Sequence, residues 1–150
     1  MPAGAATQTV SVQATVVKPL TLAKLQDLNL GTVTLNPGSW SGATVGISES
    51  GVFSCANPNT TCIGAVQPAQ FSVVGSNNQV VRVTAPNVTL VNQANSSNTL
   101  LLTVDAPATI SIPNSGNKGV TFGVGGSVTL SSSTANGTYS GTLNVTVDYQ

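Results

Sequence analysis

Few side chains in this chain are able to do chemistry, and those few stand apart. There is no histidine, so a serine or cysteine nucleophile activated by an imidazole base is excluded. The four carboxylates are Asp27, Glu49, Asp105 and Asp148, each in a different segment. A glycosidase would need two of them to converge in space on one bond. A lone Asp beside a turn or strand end reads as a solvated surface group. Gly123-Val124-Gly125-Gly126 is glycine-rich, but it precedes a strand-like run and lacks the lysine of a phosphate-binding loop. The expectation is no enzyme, no catalytic residue, no cofactor and no metal site.

Cys55 and Cys62 bracket Ala-Asn-Pro-Asn-Thr-Thr. So short a loop, with Pro and Asn at its centre, reads as a disulfide-closed turn; the alternative is two unrelated buried thiols. Two sulfurs without histidine are too few ligands for a zinc site. Trp40, in Pro37-Gly38-Ser39-Trp40-Ser41-Gly42, is the one aromatic placed to serve as a sugar platform. The plainer reading is that it covers one end of the core. Asn-x-Ser/Thr triplets such as Asn87-Val88-Thr89 arise by chance in a chain this rich in Asn and Thr, and they receive no function.

These residues must be held by a scaffold, and composition bounds it. The chain has 150 residues, of which 40% are hydrophobic and 5% charged. That suits one domain with a real core. Four basic side chains, Lys18, Lys24, Arg82 and Lys118, balance the four acidic ones. Zero net charge offers no footprint for nucleic acid or an anionic membrane, and it favours self-association. The recurring Val, Leu and Ile argue against disorder. No apolar run reaches the ~18 residues of a membrane span. The start, Met1-Pro2-Ala3-Gly4-Ala5-Ala6, lacks the regions of a signal peptide and reads as a mature secreted chain with an added Met.

The dominant period is two. Thr9-Val10-Ser11-Val12-Gln13-Ala14-Thr15-Val16, Gln70-Phe71-Ser72-Val73 and Val81-Arg82-Val83-Thr84 alternate polar with apolar. In residues 139–149, Tyr139, Leu143, Val145, Val147 and Tyr149 share one face. Turn signals separate the runs at Asn36-Pro37-Gly38, Gly75-Ser76-Asn77-Asn78, Ala85-Pro86-Asn87, residues 92–98, Pro113-Asn114-Ser115-Gly116-Asn117 and Ala135-Asn136-Gly137. This predicts an all-β antiparallel β-sandwich of roughly nine or ten strands. Residues 20–28 hint at helix, but Pro19 and the threonine favour an extended reading. A tetrad recurs as Thr32-Val33-Thr34-Leu35, Asn87-Val88-Thr89-Leu90, Ser127-Val128-Thr129-Leu130 and Asn144-Val145-Thr146-Val147. Its irregular spacing makes it repeated strand chemistry and not a solenoid.

The two ends carry the functional signal. Residues 1–17 form an extension with an apolar stripe of Val10, Val12, Ala14 and Val16, followed by the break Lys18-Pro19; residues 18–150 form the domain. The last strand ends at the penultimate Tyr149 with nothing after it to cover its edge. An N-terminal strand from another copy can fill such an edge by strand addition. Burying three valines and an alanine contributes on the order of 5–8 kcal/mol. A head-to-tail contact of this kind does not close on itself and generates a filament. The alternative is that residues 7–17 are the first strand of their own domain.

The ending Gly137-Thr138-Tyr139-Ser140-Gly141-Thr142-Leu143-Asn144-Val145-Thr146-Val147-Asp148-Tyr149 resembles the C-terminal strand of archaic, spore-coat-U-like chaperone–usher pilins. The wider pattern also resembles a bacterial secreted family catalogued as a domain of unknown function. That pattern includes Pro19-Leu20-Thr21-Leu22, Asp27-Leu28-Asn29-Leu30-Gly31, Ala69-Gln70-Phe71-Ser72-Val73-Val74-Gly75 and Phe122-Gly123-Val124-Gly125-Gly126. The chain departs from that pattern at Leu30, where Phe is usual, and from the archaic pilins, which place one cysteine just after the donor strand, in holding Cys55 and Cys62 close together mid-chain.

The resemblance implies an immunoglobulin-like pilin fold completed by a neighbour's donor strand. It further implies a structural subunit of a bacterial cell-surface filament, a pilus or fimbria, exported through the periplasm and polymerised by donor-strand complementation. Val10, Val12, Ala14 and Val16 would be donor side chains, and Leu143, Val145, Val147 and Tyr149 would line the acceptor groove. The partners would be copies of the chain, with a periplasmic chaperone and an outer-membrane usher. The competing expectation is a self-complete secreted sandwich that binds carbohydrate or a surface ligand through loops near Trp40.

Overall fold

The computed structural model of the chain describes residues 4–114 and 118–150. Residues 115–117, at the centre of the turn expected after Pro113, lie outside the described residues, as do Met1, Pro2 and Ala3. Among the described residues, alternation and turn chemistry produce thirteen strands: β1 (Thr21–Gln26), β2 (Thr32–Leu35), β3 (Ala43–Ile47), β4 (Phe53–Ser54), β5 (Thr60–Ile63), β6 (Ala69–Val74), β7 (Val80–Thr84), β8 (Val88–Asn92), β9 (Thr99–Asp105), β10 (Thr109–Ser111), β11 (Val120–Leu130), β12 (Tyr139–Ser140) and β13 (Thr146–Tyr149). Among the described residues there is no helix, and every strand pairing is antiparallel.

The largest sheet runs β1-β6-β11-β9-β8-β12, with β3 and β4 attached through β11. A second sheet is β10-β7-β13, and β2 pairs with β5. The strand β11 organises the whole. Its first half pairs with β6, and Gly126 in its second half faces both Ile47 of β3 and Val104 of β9. The glycine-rich stretch noted in the sequence lies here. A Cβ on Gly125 would stand 2.0 Å from the Ile47 carbonyl oxygen, and one on Gly123 would stand 2.1 Å from that of Glu49. The glycines let the chain after β3 cross tightly over β11, the close backbone approach that glycine in a strand often marks.

Inward side chains form two clusters. Ala69, Phe71 and Val73 of β6 meet Phe122 and Val124 of β11 and Val83 of β7, so the two larger sheets share one core. The Phe71 and Phe122 rings stack with centroids 5.6 Å apart. Ala43, Val45, Leu102, Val128 and Leu130 make the second cluster.

Residues 20–28 settle the helix-or-extended question as extended, since β1 lies there. Leu25 is the bulged residue, because the register steps from Lys24 opposite Phe71 to Gln26 opposite Gln70. The run expected as one strand over residues 139–149 is instead cut in two. Tyr139 faces Asn92 on β8 and Thr146 faces Thr84 on β7. Seven steps along one run therefore match eight along the other. The interruption lies opposite Ala85-Pro86-Asn87, where Pro86 has no N–H to give a ladder. The alternation survives the cut: Leu143, Val145, Val147 and Tyr149 are partly buried, while Asn144, Thr146 and Asp148 are exposed.

Candidate functional site

Three of the four recurring tetrads converge on one place. Val33 and Leu35 of β2, Val88 and Leu90 of β8, and Val128 and Leu130 of β11 all line a cleft of about 1220 Å³. Alternation explains why: in each tetrad the two apolar positions point the same way. The floor is buried core, with Leu102, Val128 and Leu130 at 4–6% exposure. The walls are different. Leu28, Leu30, Val33, Leu35, Val88, Leu90 and Leu100 are only partly buried. They pack on the second core cluster, but no strand among the described residues closes over them.

The rims are two strand edges. Segment 28–35 bounds one side and residues 134–143 the other. On the first rim β2 pairs only with β5, and on the second β12 pairs only with β8. Each rim strand thus has one edge without a ladder partner among the described residues. The cleft therefore lies open between two strand edges that have no ladder partner among the described residues.

The extension carries an apolar stripe but forms no ladder among the described residues. Residues 4–20 enter no strand. Val10, Val12 and Val16 are 83%, 90% and 92% exposed, and Ala14 is exposed. Among the described residues, the run 7–17 does not pair as the first strand of its own domain.

The four residues expected to line an acceptor groove are placed differently from one another. Leu143 lines the cleft and also packs on the first cluster. Val145 and Val147 pack on that first cluster. The Tyr149 hydroxyl donates to the Lys18 carbonyl at 2.5 Å and accepts from the Ser76 N–H at 2.9 Å. Tyr139, which does line the cleft, donates its hydroxyl to the Ala135 carbonyl at 2.8 Å and so fixes the rim loop. Sequence reasoning missed Leu28, Leu30, Leu35, Leu90 and Leu100, although the repeated tetrad was a signal that pointed toward three of the contributing strands.

Cys55 and Cys62 are disulfide-bonded across a Cα–Cα distance of 6.4 Å. The bridge closes the turn between β4 and β5 and packs against the second cluster. Trp40 packs on the same cluster and is partly buried. Its Nε1–H donates to the Asn36 carbonyl at 2.8 Å, and its backbone is tied to Ser132. Of the carboxylates, Asp27 pairs with Lys24 at 2.8 Å, where side-chain exposures of 78% and 60% leave little net stabilisation. Asp105 accepts the Glu49 backbone N–H at 3.0 Å. Asp148 lies opposite Arg82 on the exposed face of β13.

The family model described as domain of unknown function (DUF4402) matches residues 20–149. The chain belongs to that family. The match begins one residue after Pro19, so the extension lies outside it and the DUF4402 region coincides with the paired strands. No curated protein and no solved structure matches the chain.

Proposed function

We propose that this DUF4402 chain is a structural subunit of a bacterial extracellular filament, polymerised by donor-strand complementation. One observation carries the reading. The same chain holds a cleft, floored by apolar side chains, open between two strand edges, and an exposed alternating run, residues 7–17, that pairs with nothing among the described residues. The occupant we assign to the cleft is residues 7–17 of a second copy, with Val10, Val12, Ala14 and Val16 directed inward. The domain is then an immunoglobulin-like sandwich, short of one strand until a neighbour supplies it. The resemblance of residues 137–149 to pilin C-terminal strands supports the same assignment. It further points to export through the periplasm, assembly by a chaperone and usher, and a place on the cell surface.

The lengths agree. Eleven residues of strand span ~36 Å, enough to run the length of either rim, segment 28–35 or residues 134–143. The four inward donor side chains contribute on the order of 5–8 kcal/mol, to which ladder bonds with both rims add ~0.5–1.5 kcal/mol each.

Removing residues 1–17 tests the proposal. The full chain should form filaments by electron microscopy, and the truncated chain should not. A synthetic peptide of residues 7–17 should bind the truncated chain one to one and raise its melting temperature. A truncated chain that stays monomeric, melts with the full chain and ignores the peptide would refute the proposal.

A further inference from the structure

The place where the extension leaves the domain is built from three distant segments. The Lys18 N–H donates to Ser76 Oγ at 2.6 Å, and the Lys18 carbonyl accepts the Tyr149 hydroxyl at 2.5 Å. The circuit closes through the Ser76 N–H, which donates to the same Tyr149 oxygen at 2.9 Å. Both backbone groups of Lys18 are therefore held, one by the turn after β6 and one by the end of β13. Gly75 makes room for this. A Cβ there would stand 2.7 Å from the Tyr149 hydroxyl oxygen, 2.7 Å from Leu20 Cδ2 and 2.9 Å from Ile112 Cδ1.

On one side of the circuit the chain is stiff. Pro19 fixes its own φ, and Leu20 packs on the first core cluster. On the other side Val17 is 38% exposed and Val16 is 92% exposed. The change from held to unpaired chain thus takes place within two residues.

We infer that Tyr149, Ser76 and Lys18 form a latch that fixes the direction in which the N-terminal extension leaves the domain. Tyr149 acts here as a positioning residue. The latch stands on its own geometry; its consequence for a filament rests on the strand-donation reading. In a filament it would make the joint between donor strand and parent domain stiff, because the first held residue, Lys18, directly follows the donated run.

The full chain labelled with ¹⁵N, kept dilute enough to be monomeric, tests the latch without any filament. Backbone relaxation should place the boundary between rigid and mobile amides at residues 17 and 18. Tyr149→Phe removes the hydroxyl and keeps the ring. It should move the boundary past Pro19 and speed exchange of the Ser76 amide about five- to tenfold. The decisive signal is the Lys18 amide, whose own acceptor is untouched by Tyr149→Phe: a latch acting as a unit makes it exchange several-fold faster too. Ser76→Ala should move the boundary in the same way. An unchanged boundary and an unchanged Lys18 amide in Tyr149→Phe would overturn the latch. Failure of the full chain to form filaments would refute strand donation and leave this result standing.

Discussion

Replacing Val12 by aspartate separates a residue's role in its own domain from its role in a neighbour. Val12 is 90% exposed, so the substitution should change the stability of the monomer by less than ~0.5 kcal/mol. In the proposed junction the same side chain enters the cleft against Leu90, Leu100 and Leu102. There the substitution forfeits ~1.5–3 kcal/mol of apolar burial. It also brings a carboxylate into a cleft whose basic side chain, Lys24, already pairs with Asp27, at a cost of several kcal/mol. A combined loss of about 4 kcal/mol per junction weakens association roughly a thousandfold. Sedimentation velocity and negative-stain microscopy read the polymer; circular dichroism melting of the dispersed chain reads the monomer. The expected result is loss of polymer at an unchanged monomer melting temperature. Filaments of normal length in Val12→Asp would refute the placement of Val12 in the cleft. A monomer melting several degrees lower would show that the extension packs on its own domain.

Three further tests probe the body of the fold. Leu102 is 4% exposed and its neighbour Leu101 is 59% exposed; Leu102→Ala should cost ~2–5 kcal/mol and lower the melting temperature by about 5–15 °C, while Leu101→Ala should stay within ~0.5 kcal/mol. Equal effects in thermal melts would refute the assigned faces of β9. Gly125→Ala puts a methyl 2.0 Å from the Ile47 carbonyl oxygen and should cost about 3 kcal/mol or more, seen as a drop of roughly 6–12 °C in the melt or as insoluble protein. Replacing both Cys55 and Cys62 by serine opens a loop of sequence separation 7; loop entropy gives a loss of about 2.5 kcal/mol, and denaturant titration should find it with the m-value little changed.

Faces were legible in the sequence and neighbours were not. The alternation in β6 reads directly as buried Ala69, Phe71 and Val73 between less buried Gln70, Ser72 and Val74. The same alternation in residues 7–17 promises a strand and forms none, because a strand also needs a ladder partner and this run has none in its own chain. The roughly nine or ten strands expected became thirteen among the described residues because long runs are cut by local breaks. Pro86 gives an example: it lies on the partner run and interrupts pairing opposite residues 141–145. A break imposed by a residue some 55 positions away, roughly, leaves no trace in the local pattern of the strand it interrupts.

Composition and period by themselves pointed to an all-β antiparallel chain with the apolar face of each run identified, and favoured a disulfide turn at Cys55 and Cys62 over two separate thiols, which the structure then shows as bonded. These follow from local chemistry, since a strand's two faces and a short loop's closure depend on adjacent residues. Only the tertiary structure decided that the tetrads at Val33, Val88 and Val128 share one cleft and that Tyr149 holds the root of the extension. Those facts depend on which edges meet, and strand pairing is set by long-range register that period-two alternation does not encode. The sequence marked the extension and the last strand as the informative ends. The fold adds the open cleft, lined by segments 28–35 and 134–143.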